Sequence, residues 1–328
     1  MSLSISAEIE AWPIAGSFTI SRGSKTEAVV VVVEISDGIH RGRGECTPYP
    51  RYGETPDGVK AEIEAIAPRI ADGSLTRLDL QTAMKAGAAR NALDCAIWDF
   101  EAKRQGKRAW TLAGLPPLRP VTTAYTISLG TPEAMAEATE KAAHMPLLKV
   151  KLGGEGDEAR ITAVRGAAPH SDIIVDANEA WPANRVADLL KVCADHGVSL
   201  VEQPLPAGKD QILDSIDRVV PVCADESVHD RATLPGLVGR YDAINIKLDK
   251  TGGLTEALAL ADMALRRDFM IMVGCMLATS LAMAPALVVA QQATVVDLDG
   301  PLLLKEDRIT PLTFNGAEIL PPAASLWG

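Results

Sequence analysis

From residue 121 onward, short β-branched apolar runs alternate with stretches whose apolar positions recur at helical spacing. The β-type runs are VTTAYTISLG at 121–130, PLLKVKLGG at 146–154, DIIVDANEAW at 172–181 and VSLVEQPLP at 198–206. They continue with VVPVCADESV at 219–228, YDAINIKLDKTGG at 241–253, FMIMVGCML at 269–277 and ATVVDLDGP at 293–301. Eight such runs at intervals of about 21–27 residues match the length of a βα unit. Between them, PANRVADLLKVCADHG places Val186, Leu189, Leu190 and Cys193 on one helix face, with Gly197 as the stop. TEALALADMALRRD repeats the pattern after Gly252-Gly253. ATSLAMAPALVVAQQ is apolar nearly all round, which predicts a buried helix broken in its first half at Pro285. Strands alternating with helices predict a parallel sheet, and eight of them predict a closed (β/α) barrel over an open doubly wound sheet. No Gly-x-Gly-x-x-Gly follows the first strand, which speaks against dinucleotide binding.

Residues 1–120 follow another pattern. AVVVVVEISDG at 28–38 predicts a strand ending in an Asp-Gly turn, with GIHRGRGECTP returning as its hairpin partner. Helical segments follow, ending in LQTAMKAGAARNALDCAIWDFEAKRQG. The expected organisation is α/β: an α+β segment over 1–120 preceding a TIM-type barrel over 121–307. The tail at 308–328, with the strand-like ITPLTFNGAEIL, is expected to return to the N-terminal domain.

Charge and composition narrow the function. The 328 residues carry 32 Lys+Arg against 43 Asp+Glu, a formal net charge of −11. Phosphate contacts need a basic face, so neither a nucleic-acid binder nor a polybasic membrane-surface protein is expected. The longest apolar runs are too short to span a bilayer, and MSLSISAEIEAW lacks the basic and apolar regions of a secretory signal. A cytoplasmic location is expected. The cysteines are Cys46, Cys95, Cys193, Cys223 and Cys275: an odd number, widely spaced, without Cys-x-x-Cys, so neither a disulfide framework nor a cysteine zinc site is expected. His144, His170, His196 and His229 are not paired at a metal-ligand spacing, and Trp98 and Trp181 are expected to pack rather than stack on a ligand.

Chemistry concentrates at the C-terminal ends of consecutive predicted barrel strands, the face where barrel enzymes place their active sites. Lys149 and Lys151 end the second strand, Asp176 the third, Glu202 the fourth, Asp225 the fifth, Lys247 the sixth and Asp297-Leu298-Asp299 the eighth. Positions 151, 176, 202, 225 and 247 advance by a near-constant 22–26 residues, as equivalent points on adjacent barrel strands would. Taken singly, an acid at a strand end is often a turn-former or helix cap. Here three carboxylates follow buried apolar runs and converge on one barrel mouth, where they would repel one another without a cation. A hard divalent ion with oxygen ligands, such as Mg²⁺, resolves that. Lys149 and Lys151 face the same way, being two apart on a strand, and two such ammonium groups are expected to lower each other's pKa. Lys247 is expected on the opposite side of the barrel. A base on one face of a carbon and an acid on the other suit a stereoinverting proton transfer.

These motifs resemble those of the enolase superfamily, in particular its muconate-lactonizing-enzyme subgroup. The resemblance is carried by KVKLG at 149–153, VDANEAW at 175–181, VEQPLP at 201–206, ADES at 224–227, INIKLDKTGG at 244–253 and the helix ALDCAIWDFEAKRQGK at 92–107. It implies a capping domain followed by a (β/α)7β barrel. It further implies one Mg²⁺ per active site on Asp176, Glu202 and Asp225, with Lys151 and Lys247 as the acid/base pair and Lys149 beside Lys151.

Asp297-x-Asp299 before Gly-Pro resembles the motif with which dipeptide epimerases hold a substrate ammonium, and two aspartates at i and i+2 form a small anionic clamp. SRGSKTEA at 21–28 and GECTPYPRYGET at 44–55 resemble the capping loops of epimerases acting on Ala-Glu. Arg22 is the candidate for the substrate's side-chain carboxylate, with Lys25 and Arg51 as competitors. Thr126 is a further substrate-binding candidate, and Asn178, Cys275 and Met276 are auxiliary ones. One departure is Ala278, where many relatives carry an acid.

The expected reaction is epimerisation of L-Ala-L-Glu or L-Ala-D-Glu through an enediolate, in murein peptide metabolism. The expected partners are that dipeptide and further copies of the chain. The alternatives are an o-succinylbenzoate synthase, an N-succinylamino acid racemase or a muconate cycloisomerase, none of which needs an ammonium clamp. More distant are a non-catalytic barrel binding a small cation and a Schiff-base aldolase, which would have no use for three metal-binding carboxylates.

Overall fold

The computed structural model describes residues 3–328. The N-terminal region opens with β1 (Ser4–Ile20), β2 (Gly23–Ser36) and β3 (Arg41–Cys46), paired antiparallel in that order. Asp37 Oδ1 accepts the Ile39 and His40 amides and fixes the β2–β3 turn. The helices α1 (Pro56–Ala71), α2 (Arg77–Ala83) and α3 (Ala88–Arg104) follow. Thr55 caps α1, and Thr76 with Asp79 forms a capping box on α2, each satisfying backbone amides that a helix start leaves free. Along α3 all but three residues are buried, because its one face packs on the sheet and its other on the barrel. A short α4 (Ala109–Leu112) leads out.

The barrel begins after β4 (Val121–Thr122), which pairs instead with Glu318 and Ile319 near the C-terminus. Its elements are β5 (Tyr125–Ile127), α5 (Pro132–Ala142), β6 (Leu147–Lys151), α6 (Asp157–Ala167), β7 (Asp172–Asp176), α7 (Val186–Asp195), β8 (Val198–Glu202), β9 (Val222–Ala224) and β10 (Ala243–Ile246). Next come α8 (Leu248–Thr251), α9 (Leu254–Leu265), β11 (Met270–Gly274), α10 (Ser280–Ala290) and β12 (Val295–Asp297). All eight strands expected from the sequence form one parallel sheet in the order β5 to β12. The first and last edges meet where the Ala124 amide donates to the Val296 carbonyl (2.8 Å) and the Leu298 amide to Thr123 Oγ1 (2.9 Å). The tail adds β13 (Phe314–Asn315) and β14 (Glu318–Ile319), then reaches α3, where Trp327 Nε1 donates to the Cys95 carbonyl.

Inward positions alternate along each strand. Ile174, Leu200 and Cys223 belong to one small apolar cluster with Ala124, Ala243 and Met272. Two residues on, the same strand face carries Asp176, Glu202 and Asp225. An apolar plug therefore sits beneath a polar mouth.

Four elements differ from the expected pattern. Only 3₁₀ turns, Gln211–Asp214 and Leu234–Leu237, follow β8 and β9. In the second connection Pro235, Gly236 and Gly239 interrupt the chain ahead of β10, whereas the first runs from Lys209 to Val220 without Pro or Gly and still forms no α-helix. Conversely, α10 runs unbroken through Pro285. That proline sits just beyond the first turn and forfeits one backbone bond in a helix buried almost throughout. The long strand β1 was not expected; its tip pairs with the SRGSKTEA segment, so part of that loop is strand.

Candidate active site

A cavity of about 470 Å³ opens where the N-terminal domain covers the C-terminal ends of the barrel strands. Its barrel side includes Lys151, Asn178, Asp225, Glu226, Lys247, Cys275 and Met276. The other side comes from β1, β2 and the Thr47–Tyr52 segment, with Arg22, Lys25, Tyr49, Arg51 and Tyr52.

At and beneath the cavity floor, ammonium and carboxylate groups alternate. Lys149 Nζ lies 2.6 Å from Glu202 Oε2, 2.8 Å from Asp297 Oδ2 and 3.3 Å from Asp176 Oδ2. Lys151 Nζ donates to Asp176 Oδ2 at 2.6 Å. Lys247 Nζ donates to Asp225 Oδ2 at 2.7 Å and stands 3.9 Å from Glu202 Oε1. Asn245 Nδ2 donates to that same Glu202 oxygen at 2.7 Å. Lys149, Asp176, Glu202 and Asp225 are all at most 3% exposed.

Burial at this depth works against each charge, and the partners decide the outcome. Burial pushes the Asp176 and Asp225 carboxyls up, but the surrounding lysines outweigh it and hold both below the usual range. Glu202 rises, through burial and the nearby Asp176. Burial lowers Lys149 and Lys247, yet their carboxylates prevail and both end well above an ordinary lysine. For Lys149 this reverses the expected depression by Lys151: three close carboxylates outweigh one ammonium.

The fit to a metal rests on the donor set. Among the described residues, no three His, Cys, Asp or Glu side chains stand grouped as metal ligands. The Lys149 ammonium lies between Asp176 and Glu202, 3.3 and 2.6 Å from their oxygens. The donors are carboxylate oxygens on adjacent strand ends. Glu202 Oε2 accepts no well-directed hydrogen bond despite its nearby ammonium. Such hard oxygen donors suit Mg²⁺.

Asp297 and Asp299 are buried at the eighth strand end and do not line the cavity. Asp297 Oδ2 is engaged by Lys149, while its Oδ1 is buried without a partner. Asp299 Oδ2 accepts the Thr126 amide at 2.7 Å, which is the contact that Thr126 makes here. Burial and the neighbouring Asp297 push the Asp299 carboxyl up to about 7. Of the three candidates for the substrate's side-chain carboxylate, Arg51 is committed to Glu179 by two hydrogen bonds of 2.9 and 3.0 Å. Arg22 touches Tyr49 Oη, the Asn178 carbonyl and Glu226 Oε1. Lys25 lies over the Tyr49 ring, 5.6 Å from its centre. Asn178 sits at positive φ, its amide on Asp176 Oδ1.

Sequence reasoning passed over three contributors. Lys250 is buried against the Asp225 carbonyl at 2.6 Å and pairs with its carboxylate. Glu226 is buried and pairs through Oε1 with Arg22 at 2.8 Å. Tyr52 faces the cavity. Two carried a signal: Lys250 lies one helical turn past Lys247, and Glu226 follows directly on Asp225.

Comparison with known proteins agrees with this architecture. Residues 4–114 match the mandelate racemase / muconate lactonizing enzyme N-terminal domain, and residues 133–322 match the enolase C-terminal domain-like family. The chain is 48% identical to an L-Ala-D/L-Glu epimerase of Escherichia coli K12, over 94% of this chain and 97% of that one. It is 44% identical to an N-acetyl-D-glutamate racemase of a Pseudoalteromonas species, over 91% and 95%. A solved enolase family member from Agrobacterium tumefaciens, described as homologous to dipeptide epimerases and holding sodium and L-Ala-L-Glu with an ordered loop, is 56% identical. It superimposes with a TM-score of 0.98, over 99% of this chain and 100% of that one. A dipeptide epimerase from Cytophaga hutchinsonii, complexed with Mg and D-Ala-L-Val, is 26% identical with a TM-score of 0.92, covering 100% and 95%. The chain therefore belongs to the enolase superfamily, as a member of its mandelate racemase / muconate lactonizing enzyme family.

Proposed function

We propose that this protein epimerises dipeptides of the L-Ala-D/L-Glu type by moving one proton between opposite faces of a single carbon. The observation that carries this reading is the unpartnered, buried Asp297 Oδ1 beside Asp299. A buried carboxylate oxygen without a donor is costly, and a substrate ammonium is the donor and charge that would relieve it. Arg22, on the cavity wall formed by the N-terminal domain, takes the side-chain carboxylate of the C-terminal glutamate.

Asp176, Glu202 and Asp225 would hold one Mg²⁺. When bound, that ion would supply positive charge that polarises the substrate carboxylate. Lys151 and Lys247 stand on β6 and at the end of β10, four strands apart in a sheet of eight. One removes the α-proton from its side; the other returns a proton from the opposite side, which inverts the centre. The cover formed by the N-terminal domain excludes water from the carbanionic species. Among the described residues no helix is long and apolar enough to cross a membrane; we place the enzyme in the cytoplasm, as an oligomer of this chain, acting on murein-derived peptides.

The racemase relative supports one competing reading, an N-acylated glutamate as substrate. Comparing Ala-Glu with N-acetyl-Ala-Glu and N-acetylglutamate decides between them. Each charge-assisted contact to the ammonium is worth roughly 1.5–3 kcal/mol. Asn at both 297 and 299 should thus lower kcat/KM for Ala-Glu by about two orders of magnitude or more. N-acetylation of the dipeptide should cost the wild type a similar factor and the double variant much less. If wild type turned over the N-acetylated compounds as well as the free dipeptide, the clamp would be abandoned in favour of the acyl-amino-acid racemase.

A further inference from the structure

The four-residue helix α8 begins directly after Lys247, which is its N-cap. Its polar side chains are buried and point to two different domains. Lys250 Nζ donates to the carbonyls of Asp225 (2.6 Å) and Asn245 (3.0 Å), which binds the turn to the barrel. Asp249 Oδ1 instead accepts two donors from the N-terminal domain: the Thr47 amide at 3.0 Å and Asn91 Nδ2 at 2.8 Å. Thr47 opens the cavity-lining segment that includes Tyr49 and Tyr52, and Asn91 lies on α3.

The same helix α3 closes over the rest of the turn. Arg90 donates to the Thr251 carbonyl at 2.7 Å and the Gly252 carbonyl at 3.1 Å, and Asp94 Oδ2 accepts the Thr255 amide at 2.9 Å. Gly252 and Gly253 both have positive φ, and a Cβ at 253 would stand 2.5 Å from Asp94 Cβ. The paired glycines are what lets α3 come so near. Lys151 is held differently: it donates to Asp176, within the barrel, and meets the cover through the Phe18 ring, whose centre lies 5.8 Å from its Nζ.

We propose that Asp249 is a positioning residue for Lys247: it ties the lysine's turn to the segment that covers the cavity, so that seating of the cover and placement of this lysine are one event. The proposal rests on Lys247 being one of the two acid/base lysines. Loss of the tie should harm Lys247 and spare Lys151, an asymmetry that general loss of structure does not produce.

The test uses the full-length, Mg²⁺-supplied enzyme and follows α-proton exchange in D₂O from L-Ala-L-Glu and from L-Ala-D-Glu separately. Lys151→Ala and Lys247→Ala first assign one epimer to each lysine. Asp249→Ala should then slow exchange of the Lys247 epimer about tenfold or more, since small displacements of a catalytic group cost at least that. Exchange of the other epimer should fall less than about threefold. Asp249→Asn keeps the Oδ1 acceptor and should restore most of the loss. Should Asp249→Ala not fold, Asn91→Ala removes one of the two donors and should give the same asymmetry at smaller amplitude. Equal loss for both epimers, or no loss for either, overturns the positioning role while leaving the two-lysine mechanism intact. Failure of the two lysine variants to divide the epimers overturns that mechanism and this proposal with it.

Discussion

Each carboxylate of the proposed metal site shares its charge with a lysine, so its removal has two consequences. Asp225 neutralises both Lys247 and Lys250. Asp225→Asn would leave those buried charges short of a partner, and a loss of about 3 kcal/mol of stability is expected along with activity. Glu202→Gln is the gentler change, because Lys149 keeps Asp176 and Asp297. Calorimetric titration should find Mg²⁺ binding weakened and turnover lost in Glu202→Gln while the fold persists; full activity of this variant in EDTA would sink the metal mechanism. The two lysines lend themselves to a stereochemical test. Lys151→Ala and Lys247→Ala should each abolish epimerisation while retaining α-proton exchange of one epimer, a different one in each case. Were both variants to exchange the same epimer in D₂O, the lysines would not address opposite faces. Much of this constellation was legible in the chain, because strand alternation repeats an apolar residue and then a charged one: Ile174 and Asp176, Leu200 and Glu202, Cys223 and Asp225. The electrostatics of Lys149 was not. Its neighbours on β7, β8 and β12 come within reach only when the sheet closes.

At the level of elements, the βα rhythm was readable because each strand is an apolar run bounded by turn residues. α7 was readable to the residue: Val186, Leu189, Leu190 and Cys193 are its buried positions. What escaped was set by context. The connection after β8 keeps Lys209 to Val220 free of Pro and Gly yet forms only a 3₁₀ turn, and Pro285 is tolerated because the rest of α10 is packed. β1 alternates only partly, with Ile5, Ala7 and Ile9 on one face, so most of its support comes from pairing with β2. The contact between α3 and β3 has its own signature in Gly42 and Gly44, whose absent side chains admit the helix backbone. A Cβ on Gly44 would overlap the Ala92 carbonyl and stand 2.7 Å from the Ala96 nitrogen. Backbone atoms in a packed helix have nowhere to move, so Gly44→Ala should destabilise the N-terminal domain by about 1–3 kcal/mol or more. Chemical denaturation would show this as a lowered midpoint, and an unchanged midpoint would mean that α3 sits farther from β3.

Across the whole molecule, the two domains are joined by buried polar groups as well as by apolar packing. Glu45 of β3 receives the Thr279 amide at 2.8 Å and Arg308 at 2.6 Å, Asp94 holds Thr255, and Asp249 holds Thr47 and Asn91. The chain's acidic excess says nothing of such a seam, because these acids lie far apart in sequence from the groups they bind. Buried carboxyls at a seam link its stability to pH. Burial, reinforced by Glu54 and Glu45, raises Asp249 from 3.8 to about 7 against the opposing pull of its hydrogen bonds. The folded protein therefore keeps this proton up to about pH 7, whereas the unfolded chain releases it near pH 4. Between those values the unfolded state binds fewer protons, so this group's contribution to stability falls as pH rises through the window and levels off above it. Asp249→Asn keeps the Oδ1 acceptor and has no proton to lose. Relative to wild type, the variant should gain on the order of 3 kcal/mol between pH 4 and pH 7.5, with little further change above. Urea denaturation of both proteins across that range measures the difference directly. A difference that stays constant with pH would mean that Asp249 is already ionised at pH 4 in the folded protein and that burial does not govern it.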